Sequence, residues 1–388
     1  MKSPTSRSTT HLGPLPSQSV PQKLHQLPHI SAMTQLSSLF LTAVLALASG
    51  VQAQCGAGSP HATVSGSGSS FTATRGSTQL YSGSDYRAAI QAGLDGISSG
   101  QRVAVLASGS IGAGTITIAS GKIFEGCGTI NVGNRAGRGA IEVQNVNDVQ
   151  IPFLTMTGNP YFGLRVSGTR NLKLGKLNFN LSGGLAIRFD RDAAFNYNVE
   201  MDTITVTGAG SHAVETWNID GLKINSVIAR NVGESGLLLQ NTRNAWVGLV
   251  DGNNVATGTG YATFRMANEN GKTANGNYNT NVYIDKVISR GGGRGIFCVS
   301  RSGGVVIQNV DLSSNGNNAI LIENCYNVSI RSGTVNGGGE VRLSARSEFP
   351  NNKDIWITLQ VNNNSVRESP CGENTNFSIT GNAQQQIC

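Results

Sequence analysis

The chain carries a short apolar–x–apolar run that recurs behind a single Asn, Asp or Gly. Successive markers of this kind are separated by 23, 27, 23, 23, 37, 23, 23 and 27 residues. The longer intervals are what insertions into a fixed unit would produce, and the marker residue types tolerate a left-handed backbone. The nine markers are Asp148, Asn171, Asn198, Gly221, Asn244, Asn281, Gly304, Asn327 and Asp354.

A second apolar run precedes each marker and predicts the first strand of a unit. The run directly behind the marker predicts the second strand, and a further apolar run after it predicts the third, with turns between them. The preceding runs, such as Gly163-Leu-Arg-Val and Ala186-Ile-Arg-Phe, alternate with period two, which is typical of strands with one buried face. Gly and Asn clusters such as Ser182-Gly-Gly follow the third run. Three strands and three turns describe one triangular coil, and stacked coils would bury their inward side chains against each other.

This arrangement resembles the right-handed parallel β-helix of the pectate lyase-like superfamily over roughly residues 80–365. The Leu-x-x-Leu-x-Leu pattern of leucine-rich repeats, the rival solenoid, is absent. The resemblance implies an all-β fold, a right-handed parallel β-helix of about 10–12 coils with an N-terminal capping helix. The amphipathic segment Ser84–Ile97, with Tyr86, Ile90 and Leu94 on one face, supplies that helix.

The front of the chain has a different composition. Residues 1–32 are rich in Ser, Pro and His and predict an extension that is disordered or not normally translated. Residues 33–53 predict a secretory signal peptide, because their apolar run is too short to span a membrane and ends at small residues. We therefore expect an extracellular, secreted protein without a membrane anchor. The rest is expected to form an N-terminal segment (54–80), the β-helix (81–365) and a disulfide-closed tail (366–388).

Composition narrows the classes of function. The 388 residues include 50 Gly and 38 Asn, as turns require, and only 13% are charged. Beyond residue 53 there are 26 basic and 22 acidic residues, a net charge of +4, which is too small for a nucleic-acid-binding surface. Only His61 and His212 remain in that part, which excludes a centre of several His ligands. We expect a monomer.

Six cysteines lie beyond residue 53, and an even number in a secreted chain predicts disulfides. Several pairings are possible, and proximity along the chain favours Cys55–Cys127, Cys298–Cys325 and Cys371–Cys388. Asn-x-Ser sequons occur at Asn180, Asn327, Asn363 and Asn376. We expect N-glycosylation at Asn180, Asn363 and Asn376.

The extra residues of the longer units fall at one corner of the coil. The first strand normally reaches its marker in eight residues, but Ala186 to Asn198 takes twelve and Ala262 to Asn281 takes nineteen. The ninth coil is extended in the same interval, through residues 344–353. Solenoids carry function on the face where loops are inserted. We therefore expect a binding groove beside the first strand, walled by these insertions.

Outward positions of the first strand would form a column in which charged side chains cluster. Arg265 joins this column if Phe264 and Met266 point inward. The column is otherwise Glu142, Arg165, Arg188, Glu215, Leu238, Phe297, Leu321 and Arg342. A solvated face of paired Arg and Glu is one interpretation; a cleft that binds uronate carboxylates is the other. In the second, the substrate-binding residues are Arg165, Arg188, His212, Trp217 as a sugar platform, Phe297, Arg301 and Arg342.

The resemblance also implies a chemistry. Polysaccharide lyases of this superfamily abstract the proton α to a uronate carboxylate with an Arg or Lys base, while Ca²⁺ or another cation neutralises the carboxylate. The candidate catalytic residues here are Arg265, Arg294, Glu215 and Lys272. Asp190 and Asp192 are candidate ligands for Ca²⁺, an ion that takes about six to eight oxygens.

We expect a lyase that cleaves an acidic plant or microbial polysaccharide by β-elimination. A glycoside hydrolase using Asp190 and Glu215 is an alternative, and so is a non-catalytic polysaccharide-binding β-helix. The Trp-Ile-Asp-His and Arg-x-Pro-x-x-Arg blocks of the main pectate lyase family are missing, as is the Asp-Asp pair of the polygalacturonases. The roles of individual residues therefore rest on their positions in the repeat.

Overall fold

The computed structural model of the chain describes residues 54–258 and 260–388. The predicted extension (1–32) and signal peptide (33–53) lie outside the described residues. Within these two ranges there are one α-helix, α1 (Tyr86–Asp95), and 25 β-strands. The strands before residue 160 are β1 (Ala62–Ser67), β2 (Ser70–Arg75), β3 (Thr78–Gly83), β4 (Arg102–Val105), β5 (Gly109–Ser110), β6 (Ile116–Thr117), β7 (Ile123–Val132), β8 (Gly139–Gln144) and β9 (Gln150–Gly158).

The central strands are β10 (Phe162–Ser167), β11 (Arg170–Leu181), β12 (Leu185–Phe189), β13 (Asn196–Thr207), β14 (Val214–Val232), β15 (Leu237–Val255), β16 (Ala262–Ala267) and β17 (Val282–Arg290). The last strands are β18 (Arg294–Asn315), β19 (Ile320–Ile330), β20 (Gly333–Gly338), β21 (Val341–Ser344), β22 (Lys353–Asn362), β23 (Ser365–Glu368), β24 (Glu373–Thr380) and β25 (Gln384–Gln386). Several of these, such as β14 and β18, run through more than one side of a coil.

Each coil pairs in parallel with the coil before it and the coil after it. Strand β10 lies between β8 and β12, and β11 lies between β9 and β13. The result is a parallel β-solenoid of about 12 turns with coils of about 23 residues, which confirms the predicted all-β fold. Inward side chains such as Leu164, Ile187 and Phe189 are fully buried, because each stacks on its equivalent in the next coil.

The markers are turn residues held in the left-handed conformation. Eight of the nine have a positive φ, for example 57° at Asn171 and 85° at Gly221. Their side chains form a ladder between coils, since Asn171 Nδ2 donates to Asp148 Oδ1 at 2.8 Å and Asn198 Nδ2 donates to Asn171 Oδ1 at 3.1 Å. Asn281 is the exception: it ends the longest insertion, where its amide donates to two carbonyl oxygens at 2.7 Å.

The N-terminal end begins with antiparallel pairing and a helix. Strands β1, β2 and β3 pair antiparallel, and β1 also pairs parallel with β4. Asp85 caps α1, as its side chain accepts from the Ala88 N–H at 2.9 Å. Tyr86, Ile90 and Leu94 are buried on one face of α1, and the Tyr86 hydroxyl donates to the Ala107 carbonyl at 2.6 Å. The helix thereby covers the apolar interior of the first coils.

The three disulfides join the pairs that were predicted: Cys55–Cys127, Cys298–Cys325 and Cys371–Cys388. The second lies in the core and links neighbouring coils. Parallel pairing continues beyond residue 365, the expected end of the β-helix, since β22 pairs with β24 and β23 pairs with β25. No helix among the described residues combines the length and apolar character that a membrane crossing demands.

Candidate active site

The first strands of successive coils align one outward side chain per coil in a single column, called here the central column. Arg165 pairs in register with Arg188, Arg188 with Glu215, and Leu238 with Arg265. Arg265 belongs to the column because Phe264 and Met266 are both fully buried. The column reads Thr117, Glu142, Arg165, Arg188, Glu215, Leu238, Arg265, Phe297, Leu321, Arg342, Arg367 and Gln386.

Two clefts lie along this column near Arg188. One of about 450 Å³ is bordered by Tyr161, Arg188, His212 and Glu234. The other, of about 420 Å³, is bordered on one side by residues 190–193, which belong to the first insertion. That insertion therefore forms part of a cleft wall, as the position of the extra residues led us to expect.

Buried Asn side chains hold the insertions in place. Asn218 Nδ2 donates to the carbonyl oxygens of Arg191 and Ala193 at 2.6 and 3.1 Å. Asn324 Nδ2 is close to three carbonyl oxygens of residues 346–350, at 2.9 to 3.2 Å. Both Asn residues have a φ of 55°, so the same left-handed turn chemistry that closes the coils also fixes the loops.

The carboxylate of Glu215 is saturated with hydrogen bonds. Its Oε2 accepts from Arg188, and its Oε1 accepts from Trp217 Nε1 at 2.9 Å and from Gln240 Nε2 at 2.8 Å. Asn268 fixes Gln240 in turn, because Asn268 Nδ2 donates to Gln240 Oε1 at 2.6 Å. Glu215 is 6% exposed, so these hydrogen bonds supply a buried carboxylate with polar partners. Trp217, which the sequence predicts to be a sugar platform, donates its indole N–H to Glu215, and this contact does not test a stacking role of its ring.

The acidic residues Asp190, beside the column, and Glu142, within it, are also paired with cations. Arg165 Nε lies 3.1 and 2.9 Å from the two oxygens of Asp190. Arg138 contacts both oxygens of Glu142 at 2.7 Å. Burial opposes ionisation of Glu142, but the hydrogen bonds from Arg138 and the Gly139 N–H hold its pKa below the ordinary value. Every carboxylate of the column therefore already accepts hydrogen bonds from neighbouring groups of the protein.

Asp190 and Asp192 do not fit a Ca²⁺ site. Both oxygens of Asp190 accept from Arg165, and Gln144 Nε2 lies 3.3 Å from its Oδ2. The side chain of Asp192 is 83% exposed and pairs with Arg191 at 3.1 Å. A hard cation needs oxygens that converge on one point without a guanidinium between them. We derive no step through a metal here.

Four guanidinium groups, in contrast to these carboxylates, have a buried donor that no described residue satisfies. Each has one buried N–H group without a hydrogen-bond partner among residues 54–258 and 260–388. Arg188, Arg265 and Arg342 are members of the column, and Arg294 begins the strand that carries Phe297. The atoms are Arg188 Nε, Arg265 Nε, Arg294 Nη1 and Arg342 Nε. Buried donors without a partner are energetically costly and are rare in folded proteins.

Arg265 and Arg294 share an aromatic floor. The Arg265 guanidinium carbon lies 5.1 Å from the ring centroids of both Tyr261 and Phe297, and that of Arg294 lies 4.8 Å from Phe297. Burial lowers the pKa of Arg265, and the charges of Arg294 and Arg346 lower it further. Burial also lowers the pKa of Arg294. Phe297 is only 3% exposed, so it supports the two cations and presents no open face to a sugar.

His212 belongs to a cluster with Glu234 and Tyr261. The His212 Nδ1 accepts from the Ser235 N–H at 3.0 Å, so the proton of the neutral ring sits on Nε2, 3.1 Å from Glu234 Oε2. Burial lowers the pKa of His212, although Glu215 and Glu234 oppose this. The imidazole therefore has no lone pair for a substrate proton, and it serves to position Glu234.

Tyr261 and Glu234 are the residues that the sequence analysis did not select. Burial raises the pKa of Tyr261, as do the charge of Glu234 and a hydrogen bond to it, so the phenol stays protonated. The Ser211 hydroxyl also bonds to Glu234. Ser211 and Glu234 are one repeat of 23 residues apart, a spacing that could have identified Glu234 as a neighbour of His212.

Lys272 and Arg301 lie in a different group. Both pair with Glu269 Oε1, at 3.1 and 3.0 Å, and the Arg301 guanidinium lies 5.3 Å from the Phe349 ring. Glu269 and Arg301 both have a positive φ, of 60° and 55°. The structure thus joins Lys272 and Arg301 to each other through Glu269, whereas Arg265 packs on Tyr261 and Phe297.

No protein-family model, no curated protein and no solved structure matches this chain. The site therefore has to be interpreted from its own contacts.

Proposed function

We propose that the chain is a polysaccharide lyase of the pectate lyase-like kind, which cleaves a uronate-containing polymer by β-elimination on the central column. The observation that carries the proposal is the imbalance between donors and acceptors. Four guanidinium groups keep a buried N–H without a partner among the described residues, whereas Glu142, Asp190 and Glu215 all accept hydrogen bonds already. A uronate carboxylate supplies the acceptors that those donors lack.

Arg265 is the proposed base. A guanidinium rarely gives up its proton, but burial and the neighbouring charges of Arg294 and Arg346 favour the neutral form of Arg265. Neutral Arg265 takes the proton from the carbon that bears the carboxylate. The electron pair of that C–H bond forms the new double bond as the bond to the leaving sugar oxygen breaks. Arg294 binds the substrate carboxylate and stabilises the charge that develops there.

Tyr261 is the proposed acid. Its raised pKa keeps its hydroxyl protonated, and its ring centroid lies 5.1 Å from the Arg265 guanidinium carbon. The Tyr261 hydroxyl gives its proton to the leaving oxygen, and the resulting phenolate recovers a proton from the protonated Arg265. Glu234, held by His212 and Ser211, orients that hydroxyl.

The hydrolase alternative receives less support. Hydrolysis by paired carboxylates needs one protonated acid and one free base. Asp190 is bound by Arg165, and Glu215 is bound by Arg188, Trp217 and Gln240.

We also propose an extracellular location. Three disulfides and the absence of a membrane-crossing helix among the described residues are compatible with it. Asn180, Asn363 and Asn376 are exposed and open to glycosylation. Asn327 is not proposed, because its Nδ2 donates to the Tyr278 carbonyl at 2.7 Å.

The test is a panel of purified uronate polymers incubated with the protein, with and without a chelator. Ultraviolet absorbance from unsaturated uronate ends is the expected result, and it should survive the chelator because no step uses a metal. New reducing ends without this absorbance would replace the lyase by a hydrolase. Binding without cleavage of any polymer would leave only the binding function.

A further inference from the structure

A second column of outward side chains runs along the strands that follow the markers, and it carries three aromatic residues. Lys223 pairs in register with Trp246, Trp246 with Tyr283, and Ser329 with Trp356. We call Trp246, Tyr283 and Trp356 the aromatic strip. The column reads Gln150, Lys173, Glu200, Lys223, Trp246, Tyr283, Val306, Ser329, Trp356 and Asn376.

Two of the three aromatic residues of the strip are exposed, and Trp246 is half-buried. Tyr283 is 43% exposed and Trp356 is 38% exposed, in a chain of which only 6% is aromatic. Adjacent strands lie ~4.8 Å apart, so Trp246 and Trp356, four strands apart, mark out a line of roughly 19 Å along the solenoid axis. This line lies on a different side of each coil from the central column.

The indole of Trp246 packs against the sheet. Its Cη2 atom is 3.1 Å from the position that a Cβ on Gly248 would occupy, so the ring rests over the gap that this glycine leaves. Val306, the next column member after Tyr283, is 5% exposed and continues the floor. The strip is therefore a shallow apolar line on a flat parallel sheet.

The surroundings of the strip are polar and nearly balanced in charge. Lys173 and Glu200 approach to 3.8 Å, and Lys223 lies 5.8 Å from the Trp246 ring centroid. An open cleft of about 600 Å³ next to them is bordered by the marker side chains Asn171, Asn198 and Asn244. This chemistry contrasts with the central column, where four Arg side chains each keep one buried N–H without a partner among the described residues.

We propose that the aromatic strip is a second binding site, which holds a neutral β-linked glycan along the solenoid axis. A flat aromatic ring offers the C–H face of a pyranose an apolar surface, while amide and ammonium groups at its side bond to hydroxyls. The coil spacing is close to the length of one sugar unit in an extended chain, so successive coils meet successive sugars. The site is independent of the lyase chemistry proposed above.

A protein partner fits this surface less well. A standard protein interface buries about 800 Å² on each side around an apolar centre. The strip is one side chain wide, and Lys173, Glu200 and Lys223 precede it in the same column. It therefore lacks the broad apolar centre of a protein interface.

The experiment measures binding of the full chain to insoluble cellulose, after enzymatic removal of N-glycans, because Asn376 pairs in register with Trp356. The Trp246→Ala/Tyr283→Ala variant should raise the dissociation constant about tenfold, which corresponds to ~1.4 kcal/mol, because two ring surfaces for the sugars are removed. Tyr161→Ala is the matched control, because Tyr161 is also 43% exposed but borders the central column. This control should bind cellulose as the parent chain does.

Two further measurements make the outcome decisive. Trp246→Phe/Tyr283→Phe keeps the rings and should keep most of the affinity, which separates a folding defect from a lost contact. Release of unsaturated products from a soluble uronate polymer should be unchanged in the strip variants. Failure of the parent chain to bind cellulose, or an equal loss in Tyr161→Ala, would overturn the aromatic-strip site without bearing on the lyase.

Discussion

Trp217 donates its indole N–H to Glu215 at 2.9 Å, across two positions of the same strand. An aromatic side chain beside a groove is easily assigned to sugar stacking, but this hydrogen bond also gives Trp217 a structural role. It completes the set of donors around a buried carboxylate, together with Arg188 and Gln240. Glu215 is therefore part of the structural support of the groove, and its charge has consequences for stability.

Glu215→Gln should destabilise the protein by about 2–4 kcal/mol. The amide nitrogen would replace one of the two oxygens, so a donor would face either Arg188 or both Trp217 and Gln240, and Arg188 would lose its counter-charge. Chemical unfolding checks this. Glu200→Gln is the control, because Glu200 is 55% exposed in its pair with Lys173 and should matter little. Equal effects of the two variants would mean that the Glu215 network contributes nothing special.

Arg265→Ala should weaken binding of an acidic oligosaccharide by about tenfold or more, while the free energy of unfolding stays within about 1 kcal/mol of the parent value. The reason is that the buried Arg265 Nε has no partner among the described residues, so its removal costs the fold little. Such a pattern separates a binding role from a structural one.

Calorimetric titration and unfolding measured side by side check this expectation. Arg367→Ala is the control, since Arg367 occupies the same column but is already paired with Glu340 at 3.0 Å. A large loss of stability with unchanged affinity in Arg265→Ala would show that the central column is a structural ion-pair face.

The stability of the chain should fall as the pH drops below about 6.5, in part because of His212. Burial lowers the pKa of His212, and Arg265 and Arg188 add to this against the charges of Glu215 and Glu234. The folded state then binds a proton less readily than the unfolded state does. The contribution of this His is fully present above the unfolded pKa and is lost as the pH falls toward the folded pKa.

His212→Asn isolates this contribution, because the Asn amide oxygen can still accept from the Ser235 N–H. The difference in unfolding free energy between the parent and this variant should shrink between about pH 7.5 and about pH 5.5. Parallel stability curves over that range would show that His212 takes up a proton as easily in the folded chain as in the unfolded one.

Asn324→Ala should release the insertion of residues 346–350 and destabilise the protein by about 2–3 kcal/mol. The variant loses the contacts of Asn324 Nδ2 to three carbonyl oxygens, and it puts Ala at a φ of 55°. Hydrogen exchange of residues 344–353 checks the release. Asn254→Ala is the control, since Asn254 has a φ of 53° but donates only to Asn231. Similar exchange in both variants would count against the pinning role.

The repeat could be derived from the sequence because its signals are local. A turn that needs a left-handed residue selects Asn or Gly, and alternation in Ala186-Ile-Arg-Phe sets which side chains point outward. The same reasoning put Arg265 in the column on the condition that Phe264 and Met266 point inward, and in the structure both are fully buried.

The contacts of the site could not be derived in the same way. These contacts depend on the conformations of side chains in neighbouring coils. They are the hydrogen bond from Trp217 to Glu215, the pairing of Asp190 with Arg165, and the pairing of Lys272 and Arg301 with Glu269. Repeat arithmetic gives which positions stack but not which rotamer each long side chain adopts. The turn that carries Glu234 lies outside the regular strands, where period-two alternation carries no information.

The stacking of one column residue per coil makes the length of the groove a modular quantity. Since each coil contacts only its neighbours, a duplication or deletion of one whole unit would move Arg188 and Arg265 apart or together by a single step of ~4.8 Å and leave every inward layer complete. Gain or loss of whole coils can therefore change the length of the central column without any change in the packing of the interior.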